Sequence, residues 1–184
     1  MGSRSNIELA YIAGFLDGDG SLMLQLKKRN DGVMKFRFMA VICFYQDTRH
    51  EKTLYWIQEI FGVGYLSRRN DGMTELRING FKQVRDILEQ LIPYIKFKER
   101  QAAALLQACK ILSSTRFKML TEEQLREIVD LILVIQSENY GTKKKKTEEE
   151  LLSMIGLTPY RLSPQGRDLC ITGKLATRLT GMHG

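Results

Sequence analysis

Histidine, cysteine and proline are scarce in this chain of 184 residues, which contains two His, three Cys and three Pro. Because the cysteines are odd in number and form no Cys-x-x-Cys pair, they predict reduced thiols in an intracellular setting rather than a disulfide scaffold or a zinc site. With only His50 and His183 available, any bound metal must be held mainly by carboxylates.

Long apolar segments are absent as well. In the C-terminal half the longest uninterrupted apolar run is 131–135, far shorter than the roughly 18 residues that a membrane-spanning helix requires. The first residues also lack the apolar core of a secretory signal. We therefore expect an intracellular protein without a membrane span.

Acidic residues are outnumbered by basic ones. The chain has 28 Lys and Arg against 21 Asp and Glu, which gives a formal net charge of +7. An excess of this size favours a polyanionic partner, either nucleic acid or an anionic membrane surface. Hydrophobic residues make up 43% of the chain, which is enough for one ordinary core and argues against a disordered chain.

The hydropathy pattern predicts one α+β domain over residues 5–156. A helix begins at a capping box formed by Ser5 and Glu8 and runs to the sequence Asp-Gly-Asp-Gly at 17–20. From Ser21 the apolar period changes to two, and turn sequences at 30–32 and 70–72 predict two β-hairpins. The order α-β-β-α-β-β-α, followed by further helices, is typical of an antiparallel sheet with helices on one face.

The remaining helices follow from apolar periodicity and from their start and stop residues. They are predicted at 49–61, from Phe81 to just before Pro93, and at 98–112, 121–137 and 147–155. Residues 157–184 differ, because Gly, Pro, Ser, Thr and Arg interrupt every apolar pair there. They predict a tail that is flexible, ordered only by docking, or an appended extension.

The end of the first predicted helix carries charge of the unfavourable sign. Asp17 and Asp19 lie where the partial negative charge of the helix end disfavours carboxylates. In the same helix Ala10, Gly14 and Gly18 recur every four residues, a smooth ridge that lets a second helix approach closely. The segment 17–20 has two interpretations. It is either a turn that ends the helix, with Asp17 bonded to local amides, or a functional site whose acids bind a cation.

The whole segment 12–20, Ile-Ala-Gly-Phe-Leu-Asp-Gly-Asp-Gly, resembles the LAGLIDADG signature of homing endonucleases position by position. The chain also resembles the single-motif, homodimeric, intron-encoded subgroup of that family over roughly 7–155. The segments that carry this likeness are 18–21 leading into a strand with Gln25 and Lys27, Gln46, Gly-Val-Gly-Tyr at 62–65, and 93–98 with Gln101-Ala102 after it.

The resemblance implies a set of site residues. Asp19 would bind a divalent metal at the scissile phosphate, with the Gly18 carbonyl as an additional ligand. Gln46 would position water around the metals, and Lys98 would lie near the phosphate. A third, basic position is taken here by His50, with Arg49 beside it, and its role stays open. The alternatives without a catalytic role are that Lys98 is a solvated lysine at a helix start and that His50 is a surface residue.

The resemblance also implies the cofactor and the oligomeric state. The expected cofactor is Mg²⁺, with Mn²⁺ able to substitute and Ca²⁺ binding without supporting cleavage. Because the chain contains one motif only, it supplies half a site and is expected to form a symmetric homodimer on a pseudo-palindromic target. The residues expected at the dimer interface are Ala10, Ala13, Gly14, Asp17 and Gly18.

Strand parity predicts a polar and basic sheet face suited to a DNA major groove. An ordinary solvated sheet face would have a similar composition, so both interpretations stay open at this point. The Lys143–Lys146 run is likewise either phosphate-contacting or merely solvated. The predicted DNA-binding residues are Ser21, Met23, Gln25, Lys27, Arg29, Lys35, Arg37, Met39, Ser67, Arg69, Glu75 and Arg77.

These observations predict a homodimeric homing endonuclease that cuts both strands of a long double-stranded DNA site. It would need no small-molecule substrate and no membrane, and would act in the organelle or cell compartment that holds the host intron. One alternative is a non-cleaving relative, either a maturase that binds intron RNA or a DNA-binding regulator. Another is a basic interaction protein whose binding ignores both metal and Asp19.

Overall fold

The structure is a computed structural model that describes residues 5–30, 35–114, 119–139 and 144–159. Helix α1 spans Asn6–Asp19 and begins at Ser5, whose hydroxyl accepts a hydrogen bond from the Glu8 backbone N–H at 3.2 Å. The Glu8 carboxylate in turn accepts the Ser5 backbone N–H at 3.0 Å. The predicted capping box is therefore confirmed.

A four-stranded antiparallel sheet follows α1. The spatial order is β1-β2-β4-β3, so β1 and β3 are the edges and β2 and β4 lie inside. Together with the helices it gives the α+β architecture that the sequence predicts. The strands are β1 Gly20–Lys28, β2 Phe36–Asp47, β3 Tyr65–Arg68 and β4 Met73–Asn79.

The helices lie between and after the hairpins. The predicted helix at 49–61 starts later than expected, because a short 3₁₀ turn, Thr48–His50, comes first. It ends at Gly62, which adopts φ 67° in the left-handed region that favours glycine. The helices are α2 Lys52–Phe61, α3 Phe81–Leu91, α4 Glu99–Ser114, α5 Glu122–Glu138 and α6 Glu148–Met154.

The core lies between one face of the sheet and the helices. The even-numbered residues of β1, β2 and β4 point into it, and Leu22, Ile42 and Phe44 have no exposed surface. Val41 and Cys43 have the opposite parity, yet they too are fully buried. Because β2 is flanked by β1 and β4, side chains of its neighbours can cover these two small residues on the otherwise polar face.

The first residues of the predicted tail pack on the domain. Leu157 lies against the core, its backbone N–H donates to the Leu152 carbonyl at 3.0 Å, and Arg126 donates to the Thr158 carbonyl at 3.0 Å. Residues 160–184, with Cys170 and His183, and Lys143 of the lysine run lie outside the described residues. Across the described ranges, no helix combines the length and hydrophobicity needed to cross a membrane.

Candidate active site and sheet face

The end of α1, the end of β2 and the start of α4 meet at one corner of the fold. The sheet register pairs Gly20 with Phe44, so the last residues of α1 lie beside the last residues of β2. Lys98, just before α4, joins them through contacts with Asp17. Four of the predicted site residues, Gly18, Asp19, Gln46 and Lys98, therefore come from segments that converge at this corner.

Asp17 joins the end of α1 to the segment just before α4. The residue is 8% exposed, and its carboxylate accepts the backbone N–H groups of Lys96 at 2.6 Å, Phe97 at 3.2 Å and Lys98 at 3.0 Å. The Lys98 ammonium donates back to the Asp17 carbonyl. With its carboxylate occupied in this way, Asp17 is a structural link between α1 and α4, consistent with its exclusion from the predicted metal ligands.

The Lys98 ammonium is partly buried between acidic groups. Burial lowers its pKa, and the negative charges of Asp17 and Asp19 raise it in part. Lys98 is therefore not a freely solvated lysine at a helix start. It places a cation beside the exposed Asp19 carboxylate.

Asp19 and Gly18 leave oxygen atoms exposed at the end of α1. Both residues are exposed, and the last turn of α1 has no basic residue. Carboxylate and carbonyl oxygens are the ligands that Mg²⁺ prefers, usually completed by phosphate oxygens and water. These oxygen donors fit a hard divalent cation. Among the described residues no three His, Cys, Asp or Glu side chains cluster.

Gln46 and His50 lie near the end of β2 and in the 3₁₀ turn that follows it. Gln46, the residue before the last of β2, is half-buried. Its side-chain oxygen accepts the Asp47 backbone N–H at 2.8 Å, which leaves its amide nitrogen to donate elsewhere. His50 is exposed in the 3₁₀ turn. Arg49 is bound by Asp47 through Nε at 2.9 Å and a terminal nitrogen at 2.8 Å, and this guanidinium lowers the pKa of the Asp47 carboxyl.

The odd-numbered strand residues lie on the sheet face opposite the core. The register aligns Lys27 with Arg37, Gln25 with Met39, and Ser67 with Glu75. Arg29 and Lys35 continue this face beyond the strand ends and are joined by a backbone hydrogen bond of 2.7 Å. Strand pairing thus assembles the predicted DNA-binding residues into one surface, while their roles as DNA contacts stay predictions.

Two residues on this face were missed by the sequence analysis. The Tyr45 hydroxyl lies 3.1 Å from the Ser21 hydroxyl, and Cys43 is buried beside them, which raises the pKa of its thiol. Their odd numbers in β2 are the signal that could have found them. Nearby, Arg77 and Glu75 form an ion pair at 3.6 Å, and both side chains have little exposure. These two predicted DNA-binding residues therefore hold each other in position.

The outer face of α1 is an exposed, smooth and apolar surface. Ile7 is 82% and Tyr11 57% exposed, and a Cβ added at Gly14 or Gly18 would meet no atom within 4 Å. Of the other residues predicted at the dimer interface, Ala10 is also exposed, whereas Ala13 and Asp17 are buried within the chain. Those two point inward. Of the five residues predicted at the interface, Ala10, Gly14 and Gly18 are the exposed ones.

Comparison with known proteins gives consistent results. The sequence model of the LAGLIDADG endonuclease family matches residues 12–112. The DNA endonuclease I-CvuI of Chlorella vulgaris is 36% identical over 113 residues, 61% of this chain and 70% of that protein. The DNA endonuclease I-CreI of Chlamydomonas reinhardtii is 27% identical over 156 residues, 84% of this chain and 93% of that protein.

Solved structures agree with the fold. The crystal structure of I-CvuI in complex with its target, in the presence of Ca, matches with a TM-score of 0.72 and 30% identity over 84% of this chain and 98% of that chain. The archaeal intron-encoded homing endonuclease I-Vdi141I, complexed with DNA, matches with a TM-score of 0.70 and 20% identity over 83% of this chain and 97% of that chain. The sequence motif, the fold and these relatives place the chain in the LAGLIDADG endonuclease family.

Proposed function

We propose that residues 5–156 form one half of a homodimeric homing endonuclease that makes a double-strand break in a long, pseudo-palindromic DNA site. The observation that carries the proposal is the end of α1. There the exposed Asp19 carboxylate lies beside the partly buried Lys98 ammonium, and the outer ridge of the same helix is smooth and exposed. Two copies joined along that ridge would bring two Asp19 carboxylates together. Each chain would then act on one strand.

The residues at the corner divide the work of phosphodiester hydrolysis. Asp19 and the Gly18 carbonyl would hold the divalent cation, which when bound activates water and neutralises charge on the leaving oxygen. Lys98, whose charge is only partly compensated by its neighbours, would stabilise the negative charge that develops on the phosphate. The Gln46 amide nitrogen would orient the attacking water, and the role of His50 stays open.

The polar sheet face would hold the DNA in register. Basic side chains such as Lys27 and Arg37 would contact phosphates or guanines, and Gln25 is suited to adenine. I-CvuI was crystallised in complex with its DNA target, which supports a DNA substrate for this chain. I-CvuI was crystallised with its own target in the presence of Ca, and with the I-CreI target, not cleaved, in the presence of Mg, which supports a divalent metal as the partner of the site.

Selection of a target from a randomised DNA pool tests the proposal. With Mg²⁺ or Mn²⁺ the parent chain should yield cleaved molecules, and with Ca²⁺ it should yield bound but intact DNA. The Asp19→Asn variant should bind the selected site and cut it at least about a hundredfold more slowly, since it loses the ligand charge. If the parent binds intron RNA and cuts no DNA, the chain is a maturase, and if Asp19→Asn cuts as fast as the parent, the mechanism is wrong.

A further inference from the structure

Glu51 is a partly buried acid whose contacts the proposed function does not use. It stands immediately before α2, where a capping side chain would bind the first backbone N–H groups, but it makes no such bond. Its carboxylate turns towards the sheet, accepts Arg68 Nε at 3.0 Å and the Thr74 hydroxyl at 2.7 Å, and its side chain is only 12% exposed.

Thr74 carries this contact across the sheet. It has no exposed surface and lies between Gln46 on β2 and Arg68 on β3 in one cross-strand row. Its hydroxyl is also 3.0 Å from the Thr48 hydroxyl. Since a buried hydroxyl needs its hydrogen bonds satisfied, Glu51 and Thr48 fix each other's positions through Thr74.

The far end of this chain of hydrogen bonds is the turn after β2. Thr48 opens that turn, its backbone N–H donates to the Gly72 carbonyl at 2.9 Å, and the turn ends at His50. Gln46 lies two residues before Thr48. The network therefore ties the segment that carries Gln46 and His50 to the β3–β4 hairpin, on the side of the sheet away from the predicted DNA-facing residues.

The strength of the network comes from charge. The Arg68 guanidinium and the Thr74 hydroxyl lower the pKa of Glu51, and a two-nitrogen contact of this kind fixes geometry as well as charge. Loss of the carboxylate would remove the charged acceptor of the buried Thr74 hydroxyl and the partner of Arg68. The 3₁₀ turn would then keep the contacts of Thr48 with Gly72 and Thr74 but lose those that Glu51 makes at its end.

We propose that Glu51 is a positioning residue that acts through Thr74 and Thr48 to hold the turn 47–50, and with it the Gln46 amide, in place relative to Asp19 and Lys98. The inference rests on the proposed function, because it gives Glu51 a role in the same site. A residue that orients a catalytic group affects the chemical step more than DNA binding, since small displacements of reacting groups are costly in rate.

Single-turnover cleavage of the selected DNA site tests this role. Glu51→Ala and Thr74→Val should each lower the Mg²⁺-dependent rate at least about tenfold, while DNA affinity in Ca²⁺ changes less than about threefold. Glu51→Gln keeps an oxygen for Thr74 but loses the charge that binds Arg68, so it should lose less of the rate than Glu51→Ala. The matched control is Glu138→Ala, which removes another acid paired with an arginine, Arg100, between two helices and should leave the rate unchanged.

All rates are compared at a temperature at which circular dichroism shows every variant folded. Should Glu51→Ala fail to fold, Thr74→Ser against Thr74→Val decides, because only serine keeps the hydroxyl. Equal rates for Glu51→Ala and parent, or an equal loss from Glu51→Ala and Glu51→Gln, would overturn the positioning role while leaving the proposed function intact. A parent chain that cuts no DNA would instead refute the proposed function.

Discussion

Asp17 and Asp19 are separated by one residue and have opposite surroundings. Two residues span about 200° around a helix, so the two side chains point to opposite sides. Asp17 points inward and accepts three backbone N–H groups, while Asp19 points outward at the exposed end of α1. One acid therefore stabilises the fold and the other is available for a ligand.

This difference predicts opposite effects of the same substitution. Asp17→Asn removes the charge and one accepting oxygen from a buried site, so we expect the free energy of unfolding to fall by about 1–3 kcal/mol. Asp19→Asn changes an exposed side chain and should alter it by less than about 0.5 kcal/mol. Urea denaturation of both variants measures this, and equal effects would contradict the two assignments.

The lowered pKa of Lys98 gives a second prediction at this scale. Burial is the largest cause and the Asp19 charge opposes it, so Asp19→Asn should lower the Lys98 pKa further. Because the folded chain releases this proton more readily than the unfolded chain, Lys98 makes stability rise with pH from its lowered folded pKa up to the ordinary lysine range.

Nuclear magnetic resonance of the lysine side-chain signals against pH measures the titration directly. Asp71→Asn, in the β3–β4 turn, is the matched control and should leave the Lys98 midpoint in place. A midpoint that moves upward in Asp19→Asn would show that the two groups do not interact as the structure describes.

The joint between α1 and β1 depends on two glycines with different surroundings. A Cβ at Gly20 would lie 2.5 Å from the Leu16 side chain and 2.7 Å from the Leu16 carbonyl oxygen, so the helix could not turn into the strand as closely. A Cβ at Gly18 would meet nothing within 4 Å. The fold of this chain therefore requires glycine at position 20, whereas no neighbouring atom requires glycine at position 18.

We therefore expect Gly20→Ala to lower the free energy of unfolding by about 1–3 kcal/mol through overpacking. Gly18→Ala should leave it unchanged or raise it by up to about 1 kcal/mol, since alanine favours a helix. Chemical denaturation at high dilution, where association does not contribute, compares the two. A larger loss from Gly18→Ala would refute this assignment.

Local signals were sufficient to predict most elements, whereas contacts across the sequence were not. The capping box of Ser5 and the stop at Gly62 depend on neighbouring residues and were predicted correctly. The burial of Cys43 depends on β2 being central, which parity does not reveal. The partners of Asp17 lie 79 to 81 residues away, and no local pattern encodes them.

At the scale of the whole molecule, the outer ridge of α1 predicts association. A Cβ at Gly14 would meet no atom of its own chain within 4 Å, but a leucine there would separate two helices that meet at this ridge. We expect Gly14→Leu to have the molar mass of one chain in light scattering where the parent has that of two. Lys82→Leu on the exposed side of α3 is the matched control, and a parent of single-chain mass would contradict the dimer.

The charge of the whole molecule sets its response to salt. Two chains of +7 give a dimer of about +14, so DNA affinity should fall steeply as salt rises. If Lys27 and Arg37 bind phosphates, replacing either with alanine should reduce the slope of log affinity against log salt by about 0.9 for each phosphate that is no longer neutralised. Fluorescence anisotropy across a salt series measures the slope, and an unchanged slope would exclude phosphate binding by these two residues.

The hydrogen bonds from Asp17 also have a consequence for the order of folding. They close a loop of about eighty residues that includes the whole sheet, α2 and α3, and contacts of such long range form slowly because loop closure is entropically unfavourable. A chain still being synthesised has no amides for Asp17 until residues 96–98 have emerged. The corner is therefore completed only after every strand of the sheet has been synthesised, so a chain that ends before residue 96 lacks the amides that hold Asp17 in place.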